Sequence, residues 1–522
     1  MKRTPLYEQH VRDASAVINL KGFARAMQYV GHVREHRATR EAVTLCDVSH
    51  MGEFDFQGPD ALALVQKLIT NDAAKLAIDQ ALYSTMCDER GIVIDDLVCF
   101  RLAADRFVWV VNVTRTDADY QWVLKHAHGM NVTVRNISTD TALMALQGPA
   151  SREALQRICK ADLKPLGYYR LAQTVLHTPH AEAPCMVSRT GYTGELGYEI
   201  MVARDLAPWV WDALLMAGRP LGIVPHGVAA RESLRTEAGY LLNGNDMDAE
   251  TNPFEAGLGW VVKLSKGDFI GRDALARVQA AGVARKMVGL EVDGATTIRN
   301  GYRIYRNGKD IGSVTSGPLS ASLTGRNCGL GYVATADSAI DTEVEIDIRG
   351  RRAKAKVIAM PFCARRVKDE PAVDTWSPYE LRFTEHHTWA RPHDGGKHDG
   401  SNAIVAVGIS DFGQRSLGDI LSLQLPKVGD RIDAGAPVAS GDSYRRAFDL
   451  VAPVSGEVAA VDADAERDPS RLNAYPYLRS GIVAVRVDDP RACGALMTFS
   501  DYAEHVRNVS RYDAWTGEKR MT

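Results

Sequence analysis

Apolar residues fall in short blocks rather than long helical stripes, so strands dominate what the pattern predicts. Phe107 to Val113 is an apolar, β-branched and aromatic run, the signature of a strand. Glu343 to Ile348 alternates acidic with apolar side chains before Gly350, which predicts a half-exposed hairpin strand. Asn307-Gly308 separates Tyr302-Arg303-Ile304-Tyr305 from Ile311-Gly312-Ser313-Val314 and has the form of a two-residue turn needing positive φ. Helical spacing is interspersed, at Pro59 to Leu68 and Asp205 to Met216. The mixture predicts an α+β body rather than a regular alternation of parallel strands and helices.

The pattern changes near Arg365 to Tyr379, a charged, Pro-containing stretch poor in periodic apolar residues, which reads as a linker. Beyond it come short apolar strands at Ala403 to Val407, Ile420 to Leu425, Leu450 to Val454 and Gly481 to Val487, with no clear long helix until the end. That pattern predicts a small β-barrel or sandwich. Within it, His393, His398 and two aspartates occupy a Gly-rich loop; the turn-former composition favours a solvated hairpin loop over a metal site.

At 522 residues the chain is too long for one ordinary core. Lys plus Arg number 62 against 65 Asp plus Glu, so no basic excess points to nucleic acid or an anionic membrane, and anion recognition must be local. Eight scattered cysteines without a Cys-x-x-Cys pair argue against a zinc ribbon or disulfide framework. The opening Met1-Lys2-Arg3-Thr4-Pro5 is followed by polar sequence without a signal-like apolar stretch, and a cytoplasmic location is expected.

Three clusters offer chemistry. In Gly91-Ile92-Val93-Ile94-Asp95-Asp96-Leu97-Val98 two carboxylates interrupt an apolar strand. They are either solvated at a hairpin bend or partly desolvated, with a raised pKa suited to moving a proton on an amine. Arg189 to Ile200 sets three glycines among two tyrosines and two glutamates, either a solvated hairpin or a close approach of backbone to a flat ligand. A glutamate there suits a pterin edge, where one carboxylate accepts two parallel hydrogen bonds. In Ala229 to Gly239, Arg231 and Arg235 lie four apart on one helical face, available to a ligand carboxylate or to surface Glu pairs.

In this order the clusters resemble the aminomethyltransferase, or T-protein, of the glycine cleavage system. The likeness runs from Thr4-Pro5-Leu6-Tyr7-Glu8-Gln9-His10 through Cys46-Asp47-Val48-Ser49-His50-Met51, Ala81-Leu82-Tyr83-Ser84, Leu146-Gln147-Gly148-Pro149 and Gly244-Asn245-Asp246-Met247-Asp248 to about Arg365. The resemblance implies a three-lobed, folate-binding α+β enzyme with its main body at about 1–275 and a C-terminal β-barrel lobe at about 285–370. Folate N5 would attack an aminomethyl carbon carried on a lipoyl arm, releasing ammonia and forming methylenetetrahydrofolate. It further implies Asp95 as the catalytic acid with Asp96 raising its pKa, Glu199 on the pterin edge, Arg231 on a distal folate carboxylate, and Tyr83, Asn112, Tyr192 and Met51 lining the channel. One stretch departs: the family often carries Gly-Trp followed shortly by Met-Pro, where this chain reads Gly22-Phe23-Ala24-Arg25-Ala26-Met27. That alters a wall facing the one-carbon donor.

After a linker at 371–378, residues 379–522 resemble the lipoyl-carrying H-protein, through Phe383-Thr384-Glu385-His386-His387-Thr388-Trp389 and Ala452-Pro453-Val454-Ser455-Gly456. The family's lipoyl lysine sits in a hairpin just before the second segment, and Arg445 occupies that place here. Lipoate is attached through an amide to lysine, and a guanidinium that stays protonated cannot substitute. No lipoyl attachment is therefore expected, and a lipoyl-protein donor would be a separate H-protein. Two other readings stay open: a tetrahydrofolate-dependent demethylase of a small N-, O- or S-methyl compound, and a non-catalytic folate-binding or interaction protein. No metal, nucleic acid or membrane partner is expected.

Overall fold

The computed structural model describes residues 1–293, 297–317, 327–367, 380–392, 403–417, 420–443, 446–467, 469, 472, 476–478, 480–489 and 491–509. The chain forms two compact units, Met1–Asp369 and Glu370–Thr522. The expected linker at 371–378, the 393–398 loop and Arg445 lie outside the described residues. Among the described residues no helix is long and apolar enough to cross a membrane.

Two sheets face each other in the first unit. One runs Leu171–His177, Glu182–Ser188, Gly197–Ala203, Thr141–Gln147, Thr44–Asp47 and Val224–Pro225; the other runs Gln80–Cys87, Val93–Ala103, Arg106–Val111, Gly52–Gln57 and Thr133–Asn136. Side-chain alternation explains why their strands read as unbroken apolar runs. Val108 and Val110 join Leu143 and Ala145 in a core shared by both sheets, whereas Phe107, Trp109 and Val111 pack in a separate core on the opposite face with Leu64, Val65 and Val123. Helices Ala61–Leu68 and Thr116–Ala127 supply those last three residues. Helix Ala207–Gly218 covers the outer face of the other sheet, where Val210, Trp211 and Leu214 meet Met144 and Leu146. Each fully buried side chain of this kind contributes roughly 1.5–3 kcal/mol before conformational entropy is counted.

Residues 285–358 close into a six-stranded barrel. Strand Glu343–Ile348 pairs with Arg351–Ile358 and buries Val344, Ile346 and Ile348 while its acids stay wetter, as the alternation predicts. Asn307 and Gly308 both have positive φ, 51° and 77°, at the turn between Arg303–Arg306 and Lys309–Ser316.

The second unit has a six-stranded and a three-stranded sheet. Its expected third strand is displaced: pairing covers Ala447–Val451 and ends before Ala452-Pro453, where proline has no N–H for a ladder. Short helices at Asp411–Leu417 and Ala463–Arg467 carry too few residues to show a period in sequence. Strands Pro437–Ser443 and Ala447–Val451 pair antiparallel.

Candidate functional site

Strand alternation decides which aspartate faces the site. Asp95 lies in the row Val93, Asp95, Leu97, Cys99 that points toward helix Thr116–Ala127, and Asp95 is 0% exposed. Asp96 lies on the other face, where Thr85 is its cross-strand partner and Tyr83 is one alternation further along. Tyr83 O–H donates to Asp96 Oδ2 at 2.9 Å, and the Tyr83 ring stacks on the exposed Trp260. Asp96 is half-buried and Asp95, the acid expected to contact the ligand, is sealed, so Asp96 is the more accessible carboxylate of the pair.

Asn112 ties the pair together. Its backbone N–H donates to Asp95 Oδ2, and its Nδ2 lies 2.9 Å from both Asp95 Oδ1 and Asp96 Oδ1. Behind Asp95 stands Asp119, fully buried, with neither carboxylate oxygen receiving a hydrogen bond from an amide, hydroxyl or ammonium group. What Asp119 can accept is a proton held on Asp95, whose pKa burial and the Asp119 charge push well above the carboxylate range. The charge neighbour of Asp95 is thus Asp119 rather than Asp96. Burial, reinforced by Asp95, pushes Asp96 up to about 7, against the opposing hydrogen bonds from Tyr83 and Asn112. Burial likewise raises Asp119 to about 7. Sequence reading missed Asp119: it sits in a helix whose other acids are ordinary first-turn residues, and only the fold brings it to Asp95.

The opposite wall comes from the Gly-rich segment and the following helix. Two of its glycines answer to packing rather than to a ligand. A Cβ on Gly191 would lie 2.0 Å from Gln147 Oε1, and one on Gly197 2.2 Å from Gln147 Nε2. Gln147 in turn accepts from Thr193 Oγ1 at 2.8 Å, which fixes the loop. Glu199 is half-buried; its Oε2 accepts a short hydrogen bond from Thr190 Oγ1, and burial raises its pKa. No hydrogen bond to Glu199 Oε1 occurs among the described residues. Tyr192 donates to the Leu241 carbonyl and stacks against Tyr240, with the Arg231 guanidinium 4.9 Å from its ring centre. Met51 lies half-buried at the edge of the core between the two sheets.

The two arginines of helix Val228–Glu237 part ways. Arg235 is 1% exposed and pairs with Asp246 at 2.7 Å and Glu232 at 2.8 Å, while donating to Ser316 Oγ in the barrel. Arg231 makes no ion pair or side-chain hydrogen bond among the described residues. Of the expected site residues, Tyr83, Asn112 and Asp96 form one group, and Tyr192, Glu199 and Arg231 a second. Charge interactions of Tyr192 with both Asp96 and Arg231 link the two groups.

Comparison with known proteins matches this arrangement. Residues 6–266 fit the GCVT N-terminal domain, 285–363 the glycine cleavage T-protein C-terminal barrel domain, and 381–509 the glycine cleavage H-protein. The aminomethyltransferase of Moorella thermoacetica is 43% identical over 70% of this chain and 99% of its own length. That of Symbiobacterium thermophilum is 45% identical over 69% and 97%. The crystal structure of the glycine cleavage aminomethyltransferase T from Bartonella henselae superposes with a TM-score of 0.65 at 33% identity, covering 70% of this chain and 99% of that one. Two-sheet body, barrel and site walls together make this chain a member of the glycine cleavage T-protein family, with a glycine cleavage H-protein domain following in the same polypeptide.

Proposed function

We propose that this enzyme is an aminomethyltransferase that moves a one-carbon unit from an aminomethylated lipoyl protein to tetrahydrofolate, with Asp96 as the acid that meets the folate. The observation that carries the reading is the half-buried Asp96 carboxyl, raised to about 7 and aimed by Tyr83 and Asn112. A group that changes charge near neutrality both accepts and returns a proton at working pH. Folate N5 and then N10 bond to the aminomethyl carbon as its carbon–nitrogen and carbon–sulfur bonds break, the N5 and N10 protons passing to the leaving amine and thiolate, so that ammonia, methylenetetrahydrofolate and the dihydrolipoyl protein result. The N5 lone pair must be free and the departing amine must carry a proton, and an acid of this pKa supports both requirements.

Recognition falls to the opposite wall. Glu199 Oε1 is left to receive N–H groups of the pterin edge, Tyr192 offers a ring face, and Arg231 has no acid of its own to oppose a folate carbonyl or carboxylate. Met51 and Tyr83 supply apolar contact. Asp95 acts from behind: through Asn112 it orients Asp96, and its proton, shared with Asp119, limits the charge beside it.

The fused H-protein domain is unlipoylated in this reading, because Arg445 stands at the lysine position. The donor is then a separate lipoylated H-protein. The test is to supply the full chain with tetrahydrofolate, with and without an aminomethyl-loaded H-protein, and to measure methylenetetrahydrofolate and ammonia. Product in equal amounts requires the added H-protein; product without it would overturn the assignment of the fused domain. No product in either case would send the search to small methylated compounds.

A further inference from the structure

Four basic side chains interact here, the buried Arg25 and His50, the half-buried Arg231 and the exposed Lys21, and none has an ion pair among the described residues. Arg25, on strand Phe23–Gln28, is 7% exposed, yet no ion pair or side-chain hydrogen bond to it occurs among the described residues. Arg231 and Lys21 are equally unpaired, and His50 is 3% exposed with its Nδ1 unsatisfied. Arg25 lines a small cavity with His10, Tyr29, Cys46, Asp47 and His226. The one acid there is already engaged: Asp47 takes hydrogen bonds from Thr4 Oγ1, His10 Nε2 and the Ser49 N–H. Glu232, the other nearby carboxylate, is bound to Arg235.

A buried Arg25 guanidinium beside the half-buried Arg231, with no anion between them, is an incomplete arrangement. The mutual repulsion is visible in the neighbours: burial and then Arg231 lower Arg25 to about 10, and burial followed by the charges of Arg25, Arg231 and Lys21 holds His50 neutral.

We infer that Arg25, beside Arg231, Lys21 and His50, makes a carboxylate-binding subsite next to the folate wall. The planar fork of a guanidinium matches a carboxylate in two parallel hydrogen bonds. The carboxylate belongs either to the folate glutamate or to an acid-bearing one-carbon donor. The inference deepens the folate reading and rests on it for its position.

The experiment uses the full chain and Arg25→Met, which deletes the charge at similar volume, with Arg25→Lys keeping a charge should the methionine variant fold poorly. Affinities are measured for tetrahydrofolate and for tetrahydropteroate, which lacks the glutamate. Thermal shifts are then measured for the tetrahydrofolate complex with sarcosine and with methylamine, its counterpart lacking the carboxylate. If the folate tail is the occupant, wild type prefers tetrahydrofolate at least tenfold and Arg25→Met loses the preference. If a donor is the occupant, sarcosine but not methylamine raises the melting temperature, and Arg25→Met abolishes the rise. Identical behaviour of wild type and Arg25→Met toward every probe overturns the subsite. Failure of wild type to bind tetrahydrofolate at all sinks the folate reading, and the sarcosine and methylamine pair, repeated on the ligand-free protein, still decides the subsite.

Discussion

The two walls of the site are built on opposite plans. On the strand carrying Asp95 and Asp96, the acids are tied from within: Asn112 holds both, Tyr83 holds Asp96, and Asp95 is sealed with Asp119 as its charge neighbour. Across from it, Arg25, Arg231 and one oxygen of Glu199 make no ion pair or side-chain hydrogen bond among the described residues. A closed wall fixes geometry and pKa before substrate arrives, which suits proton chemistry. An open wall keeps its hydrogen-bonding capacity for the ligand, which suits recognition.

The contrast is broken most severely by Asp96→Asn, expected to lower turnover by ~10²–10⁴-fold while tetrahydrofolate affinity stays within a few-fold. Comparable turnover in the variant would mean that the closed wall is not the chemical one. Next come the two arginines of one helix. Removing Arg235 leaves Asp246 buried and unpaired, so Arg235→Met should cost roughly 3–5 kcal/mol of stability by denaturant titration. Arg231→Met should leave stability at or above wild type and weaken tetrahydrofolate instead. Matching losses of stability in both variants would erase the distinction. Glu199→Gln, which converts an acceptor of two N–H groups into a mismatched amide, should weaken tetrahydrofolate roughly 10- to 100-fold by calorimetry.

Smallest is an effect on stability alone. Asp96 and Asp119 titrate near 7 in the folded chain against 3.8 as the ordinary value, so the folded state binds more protons between those limits. Their contribution is present below about pH 4 and is lost as pH rises toward about 7. Melting temperature of the ligand-free protein should therefore carry a declining component across that window. Asp96→Asn should flatten it, and an unchanged slope would place the carboxyl in solvent.

Much of this was legible in the chain. The run at Phe107 reported a strand, which the fold buries on both faces, and Asn307-Gly308 reported its own turn, because each signal is local. Site residues were found as motifs but not as roles. Adjacent aspartates are equivalent in sequence, and only the register with Thr85 and the position of the helix carrying Asp119 show that one is sealed and the other open. The glycines at 191 and 197 looked like ligand contacts until Gln147, some forty residues earlier, was found against them. Arg25 looked like a mere departure; its unpaired burial depends on where His10, Asp47 and His226 come together.

The decisive measurement is the pH dependence of kcat/KM for aminomethyl transfer, in wild type, Asp96→Asn and Asp95→Asn. An Asp96 acid predicts a limb near pH 7 in wild type that is absent from whatever activity Asp96→Asn retains and that persists in Asp95→Asn. A limb that persists in Asp96→Asn and vanishes in Asp95→Asn would return the catalytic role to the buried aspartate and contradict the site as described.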